Sequence, residues 1–155
     1  MIKLLSLIVL VSFNSAYAQI SSPEGQSSPS VEKAQPDVAR AMVAKYIGYY
    51  KSIKLTPEQE KIKVTGLSSI PAPCCSDNSM ATCCCPCNLA KSVWGLSNFL
   101  IAERGYNSAQ VRQAAIDWLK FTNPDGYSGD TCYIGGCNRA FYQNGCGGMD
   151  ERKLY

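Results

Sequence analysis

The sequence predicts a mainly α-helical fold: a small helical bundle with a cysteine-rich loop and an irregular cysteine-rich C-terminal tail. Three observations lead there. Apolar residues recur at helical spacing in three stretches. Proline, glycine and capping residues bracket those stretches. Six of the nine cysteines crowd into residues 74–87, and the other three lie in a glycine-rich end.

The chain starts with Met1-Ile2-Lys3, an apolar run from Leu4 to Phe13, and Asn14-Ser15-Ala16-Tyr17-Ala18. That is the layout of a signal peptide over residues 1–18, with cleavage after Ala18 and export to the periplasm or the extracellular space. The apolar run is shorter than the roughly 20 residues that span a bilayer, and no later run is longer, so no membrane span is expected in the mature chain. Residues 19–35 are rich in Ser, Pro and Gln and read as a disordered linker. Residues 36–128 form the expected helical domain with its cysteine cluster, and 129–155 its cysteine-rich tail.

Pro36 opens the first helix. Val38, Met42, Tyr46, Tyr49 and Ile53 recur as its apolar face, widened by Tyr50. Thr56-Pro57-Glu58-Gln59 is a capping box that predicts a short helix to about Val64, stopped by Gly66. Leu67 to Pro73 reads as turns, with no convincing strands anywhere. Pro86 marks the start of the next helix, whose stripe is Leu89, Val93, Leu96 and Leu100 and whose stop is Gly105. Asn107 and Gln110 form a second capping box, with Tyr106 and Val111 as a hydrophobic staple. Val111, Ala114, Ala115, Trp118 and Leu119 continue that last helix until Asn123-Pro124-Asp125-Gly126 ends it.

Composition excludes several functions. Histidine is absent, which removes Ser-His and Cys-His catalysis, histidine zinc sites and C-x-x-C-H haem attachment. Losing Lys3 leaves 14 basic against 12 acidic residues, too weak a balance for nucleic-acid binding. There is no P-loop, dinucleotide fingerprint or nucleophile elbow. Glu103, Arg104 and Asp117 read as solvated helix faces.

Chemistry therefore rests on Cys74-Cys75 and Cys83-Cys84-Cys85-Pro86-Cys87. Three readings stay open. Structural disulfides suit an oxidising compartment, although nine sulfurs cannot all pair within one chain. Adjacent cysteines would each reach a different partner, because disulfides want alpha carbons about 5.5 Å apart and neighbours sit about 3.8 Å apart. A soft-metal site would use Cys74, Cys75, Cys83, Cys84, Cys85 and Cys87 as thiolates, with copper as Cu(I) or zinc as the ion. Met149 near Cys146 adds a soft thioether. Thiol–disulfide exchange would use Cys84 as nucleophile and Cys87 as resolver. The dipole of a helix starting at Pro86 favours a thiolate at Cys84 or Cys85. The implied partners are a metal donor or a thiol-bearing protein. Cys132 and Cys137 flank Tyr133-Ile134-Gly135-Gly136, which reads as a disulfide-closed turn or a metal knuckle.

The tetrad Cys84-Cys85-Pro86-Cys87 resembles the C-x-P-C of thioredoxins, over those four residues only. Residues 84–120 bear a distant likeness to the helical thiol reductases of cytochrome c maturation. Those proteins have C-x-x-C leading into a helix, a short Gly-containing turn (here Gly105-Tyr106-Asn107-Ser108) and a second amphipathic helix. That resemblance implies reduction of apocytochrome thiols through Cys84 and Cys87. The run Cys83 to Ala90, with Val93-Trp94-Gly95-Leu96, also looks like uncharacterised exported bacterial cysteine-rich proteins, a likeness that implies no activity.

Overall fold

The computed structural model describes residues 36–73, 75–127, 140–143 and 147–155. The expected signal peptide and linker, Cys74, and the tail cysteines Cys132, Cys137 and Cys146 lie outside the described residues, as do the side chains of Cys75, Ser76, Gln143 and Glu151. The fold is mainly helical, as expected: α1 (Pro36–Ser52), α2 (Pro57–Leu67), β1 (Pro71–Ala72), β2 (Cys75–Ser79), α3 (Asn88–Arg104) and α4 (Ser108–Thr122), then 3-10 turns at Phe141–Gln143 and Glu151–Lys153. Among the described residues no helix is long and apolar enough to cross a membrane.

Helix α3 is the centre. Ten of its 17 residues are buried, and α1, α2 and α4 all pack on it. Burial on so many sides draws polar groups into the core, where Ser92, Ser97 and Asn98 find partners. The Ser92 hydroxyl donates to Leu89 O (2.8 Å) and accepts from Trp118 Nε1 (2.9 Å), fastening α4 to α3. Such a bond contributes about 1 kcal/mol net, and losing one partner costs more. Asn98 Nδ2 donates to Ile53 O (3.1 Å) and Asn98 Oδ1 accepts from Lys63 Nζ (3.2 Å), tying the α1–α2 link and α2 to the same helix.

The most extensive helix contact, α1 on α3, is built around Gly95. A Cβ there would collide with Tyr46 O and lie 2.7 Å from Tyr50 N, so the two backbones touch where a side chain would separate them. This contact explains a difference from expectation. The buried face of α1 is Ala39, Val43 and Ile47, one residue round from the predicted stripe, and Val38 is half exposed. Close backbone approach selects the face with small and β-branched residues and leaves the tyrosines at its margin. Tyr46 still packs edge-on to Trp118 (centroids 4.8 Å apart), and its burial, then the neighbouring Tyr49, raises its phenol pKa. Tyr49 stacks on Phe99 (4.7 Å, 8°), with Lys45 over one ring and Arg104 over the other.

Both capping boxes form. Gln59 N donates to Thr56 Oγ1 (3.3 Å) and Thr56 N to Gln59 Oε1 (3.0 Å). Asn107 and Gln110 exchange the same pair at 3.0 Å each. Gly105 closes α3 in the left-handed region at φ 64°, as its position predicts. Gly66 does not stop α2 at Val64. It sits inside the final turn, where an added Cβ would be 2.7 Å from Ser108 O; the glycine lets α2 meet the start of α4.

Residues 71–79 also depart from the turn reading. β1 and β2 form an antiparallel ribbon, Pro71 opposite Ser79 and Ala72 opposite Cys75, with an irregularity between. Its composition carries no alternation. Burial of Ile70, Ala72 and Met80 holds the ribbon instead, closed by Met80 N to Ile70 O (2.8 Å).

The glycines of α1 and α3 give opposite expectations. Gly95→Ala forces α1 and α3 apart and costs about 3 kcal/mol. Gly48→Ala, on the open face of α1 with nothing within 4 Å, gains roughly 0.5–1 kcal/mol of helix stability. Urea unfolding of the two variants measures both.

Candidate functional site

The cysteine loop hangs between β2 and α3. Thr82 N donates to Ser79 O (3.1 Å) in the turn that leaves the ribbon. Met80 is fully buried, and its carbonyl accepts from Trp94 Nε1 (2.8 Å). Trp94 thus holds the loop to α3, about two turns along the helix from Cys87. The loop then curls about one carbonyl. Cys85 O accepts from Cys87 N (2.7 Å), across Pro86, and from Cys83 Sγ (3.5 Å).

This curl sorts the sulfurs. Cys83 and Cys87 are buried, Cys84 is exposed and Cys85 is half-buried. Cys84 Sγ and Cys85 Sγ approach to 3.7 Å, well beyond the S–S bond of about 2.05 Å. Among the described residues no two cysteines are at disulfide bonding distance, and no three Cys, Asp or Glu side chains converge as a metal cage. Of the six expected metal ligands, the structure therefore places two sulfurs together at the surface and two in the core. For Cys75 it describes only the backbone, in β2, and Cys74 falls outside the described residues.

Helix α3 begins at Asn88, two residues later than Pro86 suggests. Cys87 is the N-cap, extended at φ −68° and ψ 170°, and its side chain makes no capping hydrogen bond. The tail packs on this start. Asn88 N donates to Gly148 O (2.9 Å), and Asn88 Nδ2 donates to Gly147 O (3.0 Å) and Asp150 O (2.9 Å). Tail carbonyls stand at the mouth of the helix, beside the N-cap Cys87. Gly147 (φ 71°) has no room for a side chain, since a Cβ would strike the buried Phe141 ring. Asn88 is itself fully buried, and among the described residues its Oδ1 has no hydrogen-bond partner. The expected return of the tail to the cysteine loop is thus seen for residues 147–150. Met149 is half exposed there.

Asp150 caps the turn beyond. Its carboxylate accepts from Arg152 N (2.9 Å), Nε (3.0 Å) and Nη2 (2.7 Å). These Arg152 hydrogen bonds, side chain first, hold its pKa at about 2. Asn88 is the residue that sequence reasoning missed. Its only signal is a polar side chain at the head of an apolar helix.

Neither protein-family models, nor curated proteins, nor solved structures give a match to this chain.

Two expectations follow. Asn88→Ala strips buried tail carbonyls of their donor and costs about 2 kcal/mol in urea unfolding, and limited proteolysis then releases the segment after residue 147 first. For Asp150 the folded pKa lies below its ordinary 3.8, so its contribution is complete above that value and disappears as pH falls through about 2. NMR titration of the carboxyl carbon finds the midpoint near 2 in the native chain and nearer 3.8 in Arg152→Ala.

Proposed function

We propose that the loop binds a soft metal ion, Cu(I) before Zn(II), in an exported protein. The supporting observation is the pair of sulfurs 3.7 Å apart on adjacent residues, with Cys84 exposed. Adjacent cysteines are poorly placed to relieve their contact as a mutual disulfide, because their alpha carbons are too close. As thiolates they repel, and a cation between them removes that repulsion. Thiolates select Cu(I) among soft ions, whereas structural zinc needs four ligands around one point. Two converging sulfurs therefore favour Cu(I). Zinc would require Cys83, Cys87 or the Cys74–Cys75 pair to join them.

One further observation favours thiol–disulfide exchange as a second reading: exposed Cys84 and buried Cys87 differ as an attacking and a resolving sulfur do. Cys84 thiolate would attack a substrate disulfide, forming a mixed disulfide and releasing one substrate thiol. Cys87 would then attack Cys84 Sγ, releasing the second thiol and leaving a Cys84–Cys87 disulfide. Two electrons pass to the substrate. A disulfide-stapled structural or interaction domain is the third reading, and it needs neither step.

One preparation separates them. The chain is purified from an exported source, its alkylatable thiols are counted with and without reductant, and the reduced protein is titrated anaerobically with Cu(I) against a competing chelator. The expected result is one Cu(I) per chain, with Cys84→Ser and Cys85→Ser each weakening binding at least about a hundredfold and Cys87→Ser much less. Copper binding indifferent to Cys84 and Cys85 overturns the proposal. Reductase activity lost in Cys84→Ser and Cys87→Ser, yet kept in Cys85→Ser, establishes exchange instead. A chain with one alkylatable thiol and no metal leaves only the stapled scaffold.

A further inference from the structure

The Asn123-Pro124-Asp125-Gly126 turn does more than end α4. It forms one rim of a cleft of about 530 Å³ that also takes in Pro36, Phe121, Tyr142 and Tyr155. That volume lies within the range of about 300–1,000 Å³ found for small-molecule sites. None of the described cysteines lines it, so it is separate from the loop considered above.

The chemistry of the wall is specific. Three aromatic rings contribute. Tyr142 and Tyr155 stand 6.2 Å apart, centroid to centroid, inclined at 47°, so they form a corner rather than a stack. Phe121 is backed by Trp118 at 5.4 Å, and Tyr155 by Phe141 at 6.5 Å, so neither is a loose surface ring. Hydrogen bonds fix the ends: the Arg40 side chain donates through Nη2 to Tyr155 O (3.3 Å), and Gly126 N donates to Asn123 O (3.0 Å). Among the described residues that line the cleft, Asp125 alone is charged. Tyr142 is 61% exposed, so its ring is open to a ligand in the cleft.

Aromatic faces carry negative potential, and Asp125 adds a full negative charge beside them. We propose that this cleft binds a bulky organic cation of the quaternary ammonium class. The rings take the alkylated ammonium, and Asp125 balances its charge.

Choline is the probe, compared with 3,3-dimethylbutan-1-ol, its neutral isostere, by ligand-observed NMR titration of the full chain. Choline binds saturably and about tenfold more tightly than the isostere. Asp125→Asn and Tyr142→Ala each weaken choline by about fivefold or more, and Tyr142→Phe, which keeps the ring face, does not. Both exposed substitutions leave the circular dichroism spectrum unchanged. Equal affinity for choline and the isostere, absence of saturable choline binding, or binding untouched by Asp125→Asn overturns the proposal.

Discussion

The fold depends on a contact that has no side chain in it. At Gly95 the backbone of α3 meets the backbone of α1, and nothing larger than hydrogen fits. Once the helix axes are drawn this near, the rest of α1 has little freedom. Ala39, Val43 and Ile47 must face inward, Tyr46 must lie across Trp118, and Tyr49 must reach Phe99. Helix α3 is then enclosed from several sides, which is why its serines and Asn98 have to find partners inside the protein. A glycine inside a helix costs about 1 kcal/mol relative to alanine. Here that cost is offset by dispersion between two closely packed backbones.

The same central helix supports the cysteine loop at two points. Trp94 holds the loop's beginning through Met80, and Asn88 fixes its end through the tail. Between these points the chain turns tightly about Cys85 O, and that turn separates the sulfurs by exposure. The pattern of exposure among the sulfurs is therefore a property of the loop's geometry.

Local signals in the sequence were reliable where the physics is local. Thr56 with Gln59, Asn107 with Gln110, and Gly105 each act within one helical turn, and each was legible. The stripe Leu89, Val93 and Leu96 was legible for the same reason. Signals failed where a distant segment decides. Val38 and Met42 look as apolar as Val43, and only the approach to Gly95 chooses between faces. Gly66 resembles a stop until α4 is placed beside it. The β1–β2 ribbon has no pattern of its own because Ile70 and Met80 anchor it from its ends. For the site, the crowding of Cys83 to Cys87 was plain. The approach of Cys84 Sγ to Cys85 Sγ was hidden, because it depends on the turn about Cys85 O rather than on spacing.

The Asn88 clamp also bears on when the molecule can be completed. Its partners, Gly147 O and Asp150 O, are 59 and 62 residues downstream. They lie beyond both α3 and α4 in the chain, so those helices can assemble first while the start of α3 stays wet. Closing so long a loop is an entropic cost met late. Until that contact forms, the start of α3 beside Cys87 lacks the carbonyls that cover it in the finished fold.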